Sequence, residues 1–243
     1  MLIIKSSIFK KYPELTFGFS TKRGLNRSEP FYFNMSLSVG DKKENVLKNR
    51  ETFFHALELS SENIALQKQI HNTNITEVKK GGIYEDSDAL ITKEKGIGLA
   101  VSSADCSTIF IYDKLNKVIA AVHSGWRGTA KKILKFTLDK LTADFDSSPS
   151  NLIVFIGPSI SQKNYEVGNE VAEQFDDKYL QKKADKFLLD VSAVNYDILL
   201  NYGVKKENIE KSQLCSFEEN NLLHSYRRDA KISGRALGVI AMR

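Results

Sequence analysis

Cys106 and His123 are the two side chains of this 243-residue chain whose types and spacing most directly permit chemistry. A thiol beside an imidazole can form an activated nucleophile, and it can equally be half of a metal site. The residues between them decide whether the two can meet. Ala104–Asp113 and Val118–His123 are β-rich runs joined by the polar link Lys114-Leu115-Asn116-Lys117, a pattern that predicts an antiparallel hairpin. If Asp113 pairs with Val118, His123 lies opposite Thr108, and Cys106 follows two residues along on the same face. Cys106 and His123 are then diagonal neighbours, roughly 7–8 Å apart at the backbone.

His71 is the natural third member, expected at the end of a strand that follows Ile64-Ala65-Leu66. Two histidines and one cysteine make three zinc ligands with one position open, the pattern of a catalytic rather than a structural site. Bound zinc would bring the pKa of a water towards about 7. The residues alone leave three readings open: a three-ligand metal site, a metal-free Cys–His pair, or no site at all. Directly after His123, Ser124-Gly125-Trp126-Arg127-Gly128-Thr129 leads into an expected helix. Small residues, a helix start and the Arg127 fork together suit an oxyanion. It is not a Walker loop, whose glycine spacing and Lys-Ser/Thr pair are absent.

The elements that must position these groups are legible from periodicity. Thr16–Thr21, Ala89–Thr92, Ile97–Val101, the apolar run Leu152–Ile156 and the tail Ala236–Met242 read as strands. Helices are expected over Glu44–Leu59, Ala130–Leu141 with Thr129 as N-cap, Gly168–Phe175, and Ala193–Tyr202 closed by Gly203. Strands and helices alternate but hairpins also occur, so a mixed α/β fold of mixed β-sheets flanked by helices is expected. No repeat or flexible linker divides the chain, which reads as one domain over residues 1–243.

Apolar content is 42% and charged content 27%, ordinary for a globular protein. No apolar run approaches the roughly 20 residues needed to span a bilayer, and the N-terminus lacks a signal-peptide core, so a cytoplasmic location is expected. The net charge of +5 and pI of 9.0 come from lysines interleaved with acids, without a basic stripe, so neither nucleic acid nor membrane is the expected partner. Nothing requires more than a monomer. The two cysteines, Cys106 and Cys215, do not make a disulfide framework. His55 falls on an expected helix and reads as a surface residue; Cys215 reads as a small buried one.

With these motifs in hand, the chain resembles a known family throughout its length. Ser87-Asp88-Ala89-Leu90-Ile91-Thr92, Ser103-Ala104-Asp105-Cys106, Ala121–Thr129, Ile156-Gly157-Pro158-Ser159-Ile160, Tyr165-Glu166-Val167-Gly168, Ser225-Tyr226-Arg227-Arg228-Asp229 and Ser233-Gly234-Arg235 recur in this order. The match is to the "laccase domain" or polyphenol oxidase family, also called YfiH or DUF152. Its members are described as purine nucleoside phosphorylases with adenosine deaminase activity and as peptidoglycan editing factors. The resemblance implies a YfiH-like layered sandwich, with His71, Cys106 and His123 as ligands of zinc. It matches Arg127 to the family's Gly-Trp-Arg-Gly turn and Asn49-Arg50 to its early Asn-Arg. Lys22 and Leu25 stand where the family usually has an arginine and a glycine.

The leading expectation is a zinc-dependent purine nucleoside enzyme taking a nucleoside and phosphate. Cys106, His123, Asp105 and Arg127 are its catalytic candidates. Asp105 is the candidate acid or base, although a regular strand would turn it to the other face. Arg50, Arg127, Gly128, Tyr226 and Arg228 are candidates to bind substrate or phosphate. The alternatives are an amidase that removes a wrong L-Ser from a UDP-muramic precursor, and a non-catalytic metal-binding protein. A multicopper oxidase would need about ten imidazoles; the chain has four histidines, so copper is the less expected ion.

Overall fold

A computed structural model describes residues 1–243. In chain order the strands are β1 (Ile3–Ile4), β2 (Leu15–Ser20), β3 (Ile64–Gln67), β4 (Ile75–Glu77), β5 (Gly82–Tyr84), β6 (Ala89–Thr92), β7 (Gly98–Ser103) and β8 (Ser107–Asp113). They continue with β9 (Val118–Ser124), β10 (Leu152–Ile156), β11 (Glu166–Val167), β12 (Leu180–Lys183), β13 (Lys186–Leu189), β14 (Ile209–Lys211) and β15 (Ala236–Met242). The α-helices are α1 (Lys43–Ala56), α2 (Trp126–Ala130), α3 (Ile133–Phe145), α4 (Asn169–Ala172), α5 (Val191–Tyr202) and α6 (Tyr226–Asp229).

Two six-stranded sheets result, ordered β1-β2-β15-β7-β3-β5 and β14-β10-β8-β9-β6-β4, beside a small sheet β11-β13-β12. Both large sheets mix pairings: β8 and β9 are antiparallel, whereas β4 runs parallel to β6 and β3 to β7. Strand alternation sorts the side chains into layers. Phe110 and Tyr112 of β8 and Ile119 and Ala121 of β9 meet Phe17, Leu99 and Ile240 of the other sheet, forming the core between the sheets. Their neighbours Ile109, Ile111, Ala120 and Val122 face outward onto Ile133, Leu134 and Leu138 of α3. On the far side, Phe53 and Phe54 of α1 cover Ala100, Leu237 and Val239. The expected mixed α/β sandwich is what the chain adopts, and each large apolar side chain so buried contributes about 1.5–3 kcal/mol.

Several local expectations change. β3 ends at Gln67, so His71 is not a strand end; it sits four residues later in a turn with φ +60°. The helix expected from Ala130 is broken in two, because Lys132 adopts φ +63° between α2 and α3. Thr129 therefore does not cap a helix start. It lies inside α2, and its hydroxyl pairs with Ser124 Oγ at 2.7 Å. Gly168–Phe175 is α-helical only over α4. α5 begins at Val191, where Asp190 accepts from the Ala193 N–H at 2.8 Å, and Gly203 ends it at φ +102°.

Candidate metal centre

The hairpin register matches the sequence reading: Asp113 pairs with Val118 and Thr108 with His123. The Asp113 carboxylate forms the turn by accepting from the Leu115 and Asn116 N–H groups at 2.8 and 3.0 Å. At the other end the ladder stops at Ser107–Ser124, and Cys106 sits just beyond it. Asp105, at φ +96°, turns the chain there, while Ser103 Oγ donates to the Cys106 carbonyl at 2.6 Å.

His71 reaches the same point from the other sheet. Its turn is held by Asp88, whose carboxylate accepts the N–H groups of Ile70, His71 and Asn72 at 3.2, 3.0 and 2.8 Å. Asp88 Oδ1 also lies 2.8 Å from His123 Nδ1. The imidazoles of His71 and His123 meet edge to face, with centroids 4.8 Å apart. One ligand atom from each of His71, Cys106 and His123 falls within 4.8 Å of the others. Gly125 closes the cluster: a Cβ there would lie 2.9 Å from Cys106 Sγ and 3.6 Å from His123 Nε2. A borderline-soft donor set of one thiolate and two imidazoles, converging beside a residue that carries no side chain, fits a metal ion.

Electrostatics support the same reading. Burial would raise the Cys106 thiol, but the charge and hydrogen bonds of His123, and then of His71, outweigh it and bring the pKa down to about 6. Burial would lower His123, yet the Cys106 thiolate and Asp88 raise it to about 9. Both shifts favour the thiolate–imidazolium form of the pair. Beside it lies a cavity of about 30 Å³ whose walls include Cys106, Ser107, Gly125, Trp126, Tyr165 and Val191. Burial, then the negative charge of Cys106, keeps the Tyr165 phenol protonated far above its ordinary range.

The other candidates are placed unequally. Asp105 lines the cavity, but its two oxygens already accept from Ser216 Oγ at 2.6 Å and from the Arg227 N–H at 2.7 Å. Arg127 is exposed, with its guanidinium 4.3 Å above the Trp126 ring, and Gly128 is buried behind it. The expected anion-binding helix start is the five-residue α2. Tyr226 is exposed, with Arg235 stacked on its ring at 5.4 Å. Arg50 donates to the Met35 carbonyl at 2.7 Å. Arg228 is engaged by the carbonyls of Ser216, Phe217 and Leu223 and by Asp229. Sequence reasoning missed Asp88 and Tyr165 as site residues. The signal available for both was their place in the recurring motifs Ser87-Asp88-Ala89-Leu90-Ile91-Thr92 and Tyr165-Glu166-Val167-Gly168, which periodicity alone does not assign to the site.

Comparison with known proteins agrees with this architecture. The family model described as multi-copper polyphenol oxidoreductase laccase matches residues 16–243. The chain is 32% identical to purine nucleoside phosphorylase YlmD of Bacillus subtilis, over 95% of this chain and 89% of that one. It is 30% identical to adenosine deaminase RL5 from an unknown prokaryotic organism, over 97% of each. Among solved structures, YlmD from Geobacillus stearothermophilus superposes with a TM-score of 0.92 at 28% identity, covering 98% of this chain and 94% of that chain. The DUF152 protein NMB0706 of Neisseria meningitidis gives 0.84 at 27%, covering 95% of each. The chain belongs to the multi-copper polyphenol oxidoreductase laccase family, whose YfiH- and YlmD-type members share this sandwich.

Proposed function

We propose that this chain is a zinc-dependent enzyme of purine nucleosides, catalysing phosphorolysis of adenosine- and inosine-type substrates and deamination of adenosine. The observation that carries the reading is the convergence of His71, Cys106 and His123 beside a small cavity walled by Trp126 and Tyr165. Relatives named for these two activities, each about 30% identical along nearly the whole chain, supply the substrate class. Held by the three side chains, zinc would polarise a bound water or a substrate oxygen. The chain's own groups do the rest. Trp126 and Tyr165 give the cavity aromatic walls, backed by the guanidinium groups of Arg127 and Arg227. The protonated Tyr165 hydroxyl can donate to a base. Arg127 makes no salt bridge and is free to meet phosphate. Asp105 holds the wall formed by Ser216 and Arg227.

Zinc is preferred to copper because His55 is exposed on α1 and His224 is buried beside Lys22, leaving two imidazoles at the centre. Elemental analysis of purified protein is expected to give about one zinc per chain, with Cys106→Ala losing it. Parallel assays with adenosine, with inosine plus phosphate, and with a serine-bearing muramic precursor then test the substrate class. Turnover of the precursor alone would replace this reading with the amidase. Stoichiometric zinc without any turnover would leave a metal-binding protein.

A further inference from the structure

We infer that Asp88 is the positioning residue that assembles the metal centre before metal binds, by latching both histidine ligands with one carboxylate. The two ligands come from different sheets: His71 follows β3, whereas His123 ends β9. Asp88, fully buried at the start of β6, reaches both. Its Oδ1 faces the His71 N–H at 3.0 Å and His123 Nδ1 at 2.8 Å, and its Oδ2 takes the N–H groups of Ile70 and Asn72 at 3.2 and 2.8 Å. Three successive N–H groups aimed at one anion form a nest, and that geometry requires a left-handed residue within it. His71, at φ +60°, is that residue. The backbone adds a further tie, since the His123 N–H donates to the Asp88 carbonyl at 2.8 Å.

The same carboxylate selects the donor atom. Asp88 Oδ1 accepts a hydrogen bond from Nδ1–H and holds that proton in place, so Nε2, which faces Cys106 and His71, is the nitrogen that gives up its proton to a metal. An asparagine cannot replace it. Whichever way the amide turned, its NH2 would confront either the N–H groups of Ile70 and Asn72 or the His71 N–H together with His123 Nδ1. The first arrangement loosens the His71 turn; the second moves the His123 proton to Nε2 and blocks the ligand.

Competitive chelator titration of zinc, wild type against Asp88→Asn, reads the effect directly. A 10–100-fold weaker affinity is expected, on the order seen when such supporting groups are removed. The inference is independent of substrate: a failed purine assay with this affinity loss leaves it standing. An affinity within twofold of wild type in a folded variant would overturn it. Should Asp88→Asn not fold, metal-free wild-type protein decides alone. Amide hydrogen exchange at Ile70, His71 and Asn72 is expected to be as slow without zinc as with it, and nitrogen-detected NMR should find the His123 proton on Nδ1 in the metal-loaded protein. Fast exchange in the metal-free protein would show that the metal, not Asp88, orders the turn.

Discussion

His123 and His224 are equally hidden, each 2% exposed, yet they are held in opposite states. Burial disfavours the imidazolium in both. At His123 the Cys106 thiolate and the Asp88 carboxylate overturn that penalty, and the pKa rises to about 9. At His224 burial is joined by the positive charges of Lys22, Arg235 and Arg228, and the pKa falls to about 3. His224 Nε2 also has no hydrogen-bond partner. Each ring abuts a glycine: Gly125 beside His123 and Gly234 beside His224. One region gathers donors and charge at an open cavity; the other packs a neutral ring as filler between loops. Burial sets the penalty, and the sign of the neighbouring charge decides whether a histidine is available for chemistry.

Removing Asp88 is the largest way to erase this difference. In Asp88→Ala three backbone N–H groups and the His123 ring lose their acceptor in a buried setting. A loss of about 3–5 kcal/mol is expected, as for breaking a buried charged pair. Denaturant unfolding of the metal-free protein measures it. A loss below about 1 kcal/mol would mean that water replaces the carboxylate, and the contrast with His224 would collapse.

The part of this contrast that was legible in the sequence is the part fixed by local periodicity. Asp113, four link residues and Val118 were enough to place His123 opposite Thr108, because a two-residue repeat leaves little freedom in register. The apolar runs Leu152–Ile156 and Ala236–Met242 became β10 and β15 with the same bounds. What could not be read depends on contacts distant in sequence. The latch between Asp88 and residues 70–72 and 123 exists only once β3, β6 and β9 are brought together. The small sheet β11-β13-β12 left no clear pattern, since Leu180–Lys183 is mostly polar and exposed. Arg228 reads as a candidate to bind substrate or phosphate, but it lies in α6 and its fork is taken by the carbonyls of Ser216, Phe217 and Leu223 in the segment just before it.

Acid separates the two histidines by sign. His224 has a folded pKa of about 3, below the unfolded value of about 6.5. Above pH 6.5 both states are neutral there. Below it the unfolded chain takes up a proton that the folded one refuses, so stability falls as pH drops from 6.5 towards 3. At pH 5 the loss is about 2 kcal/mol. The Cys106–His123 pair behaves differently in the metal-free protein. Between about pH 6.5 and 9 folding moves a proton from sulfur to nitrogen with little net uptake, so the raised imidazole and the lowered thiol offset each other. Unfolding of wild type and His224→Gln across pH 5–7.5 tests this. The variant should lose the downward slope below 6.5; an unchanged slope would assign it to another group.

The glycines give the smallest and most local test. The φ of Gly125 is −67°, so alanine is tolerated by the backbone, and its methyl would meet Cys106 Sγ at 2.9 Å. A thiol at the end of a single rotatable bond can swing away. Gly125→Ala is therefore expected to cost only about 1 kcal/mol of metal-free stability. The displaced Sγ, however, leaves the three-donor arrangement, so zinc affinity in the chelator titration should fall by at least about tenfold, or about 1.4 kcal/mol. At Gly234 the same methyl would meet His224 Cε1 at 2.5 Å and the Phe31 carbonyl at 2.9 Å. Neither atom can swing aside as a free thiol does. Gly234→Ala should cost about 2 kcal/mol of stability and leave zinc affinity unchanged. Equal affinity losses in the two variants would mean that the His224 region supports the metal centre after all, rather than standing apart from it as packing.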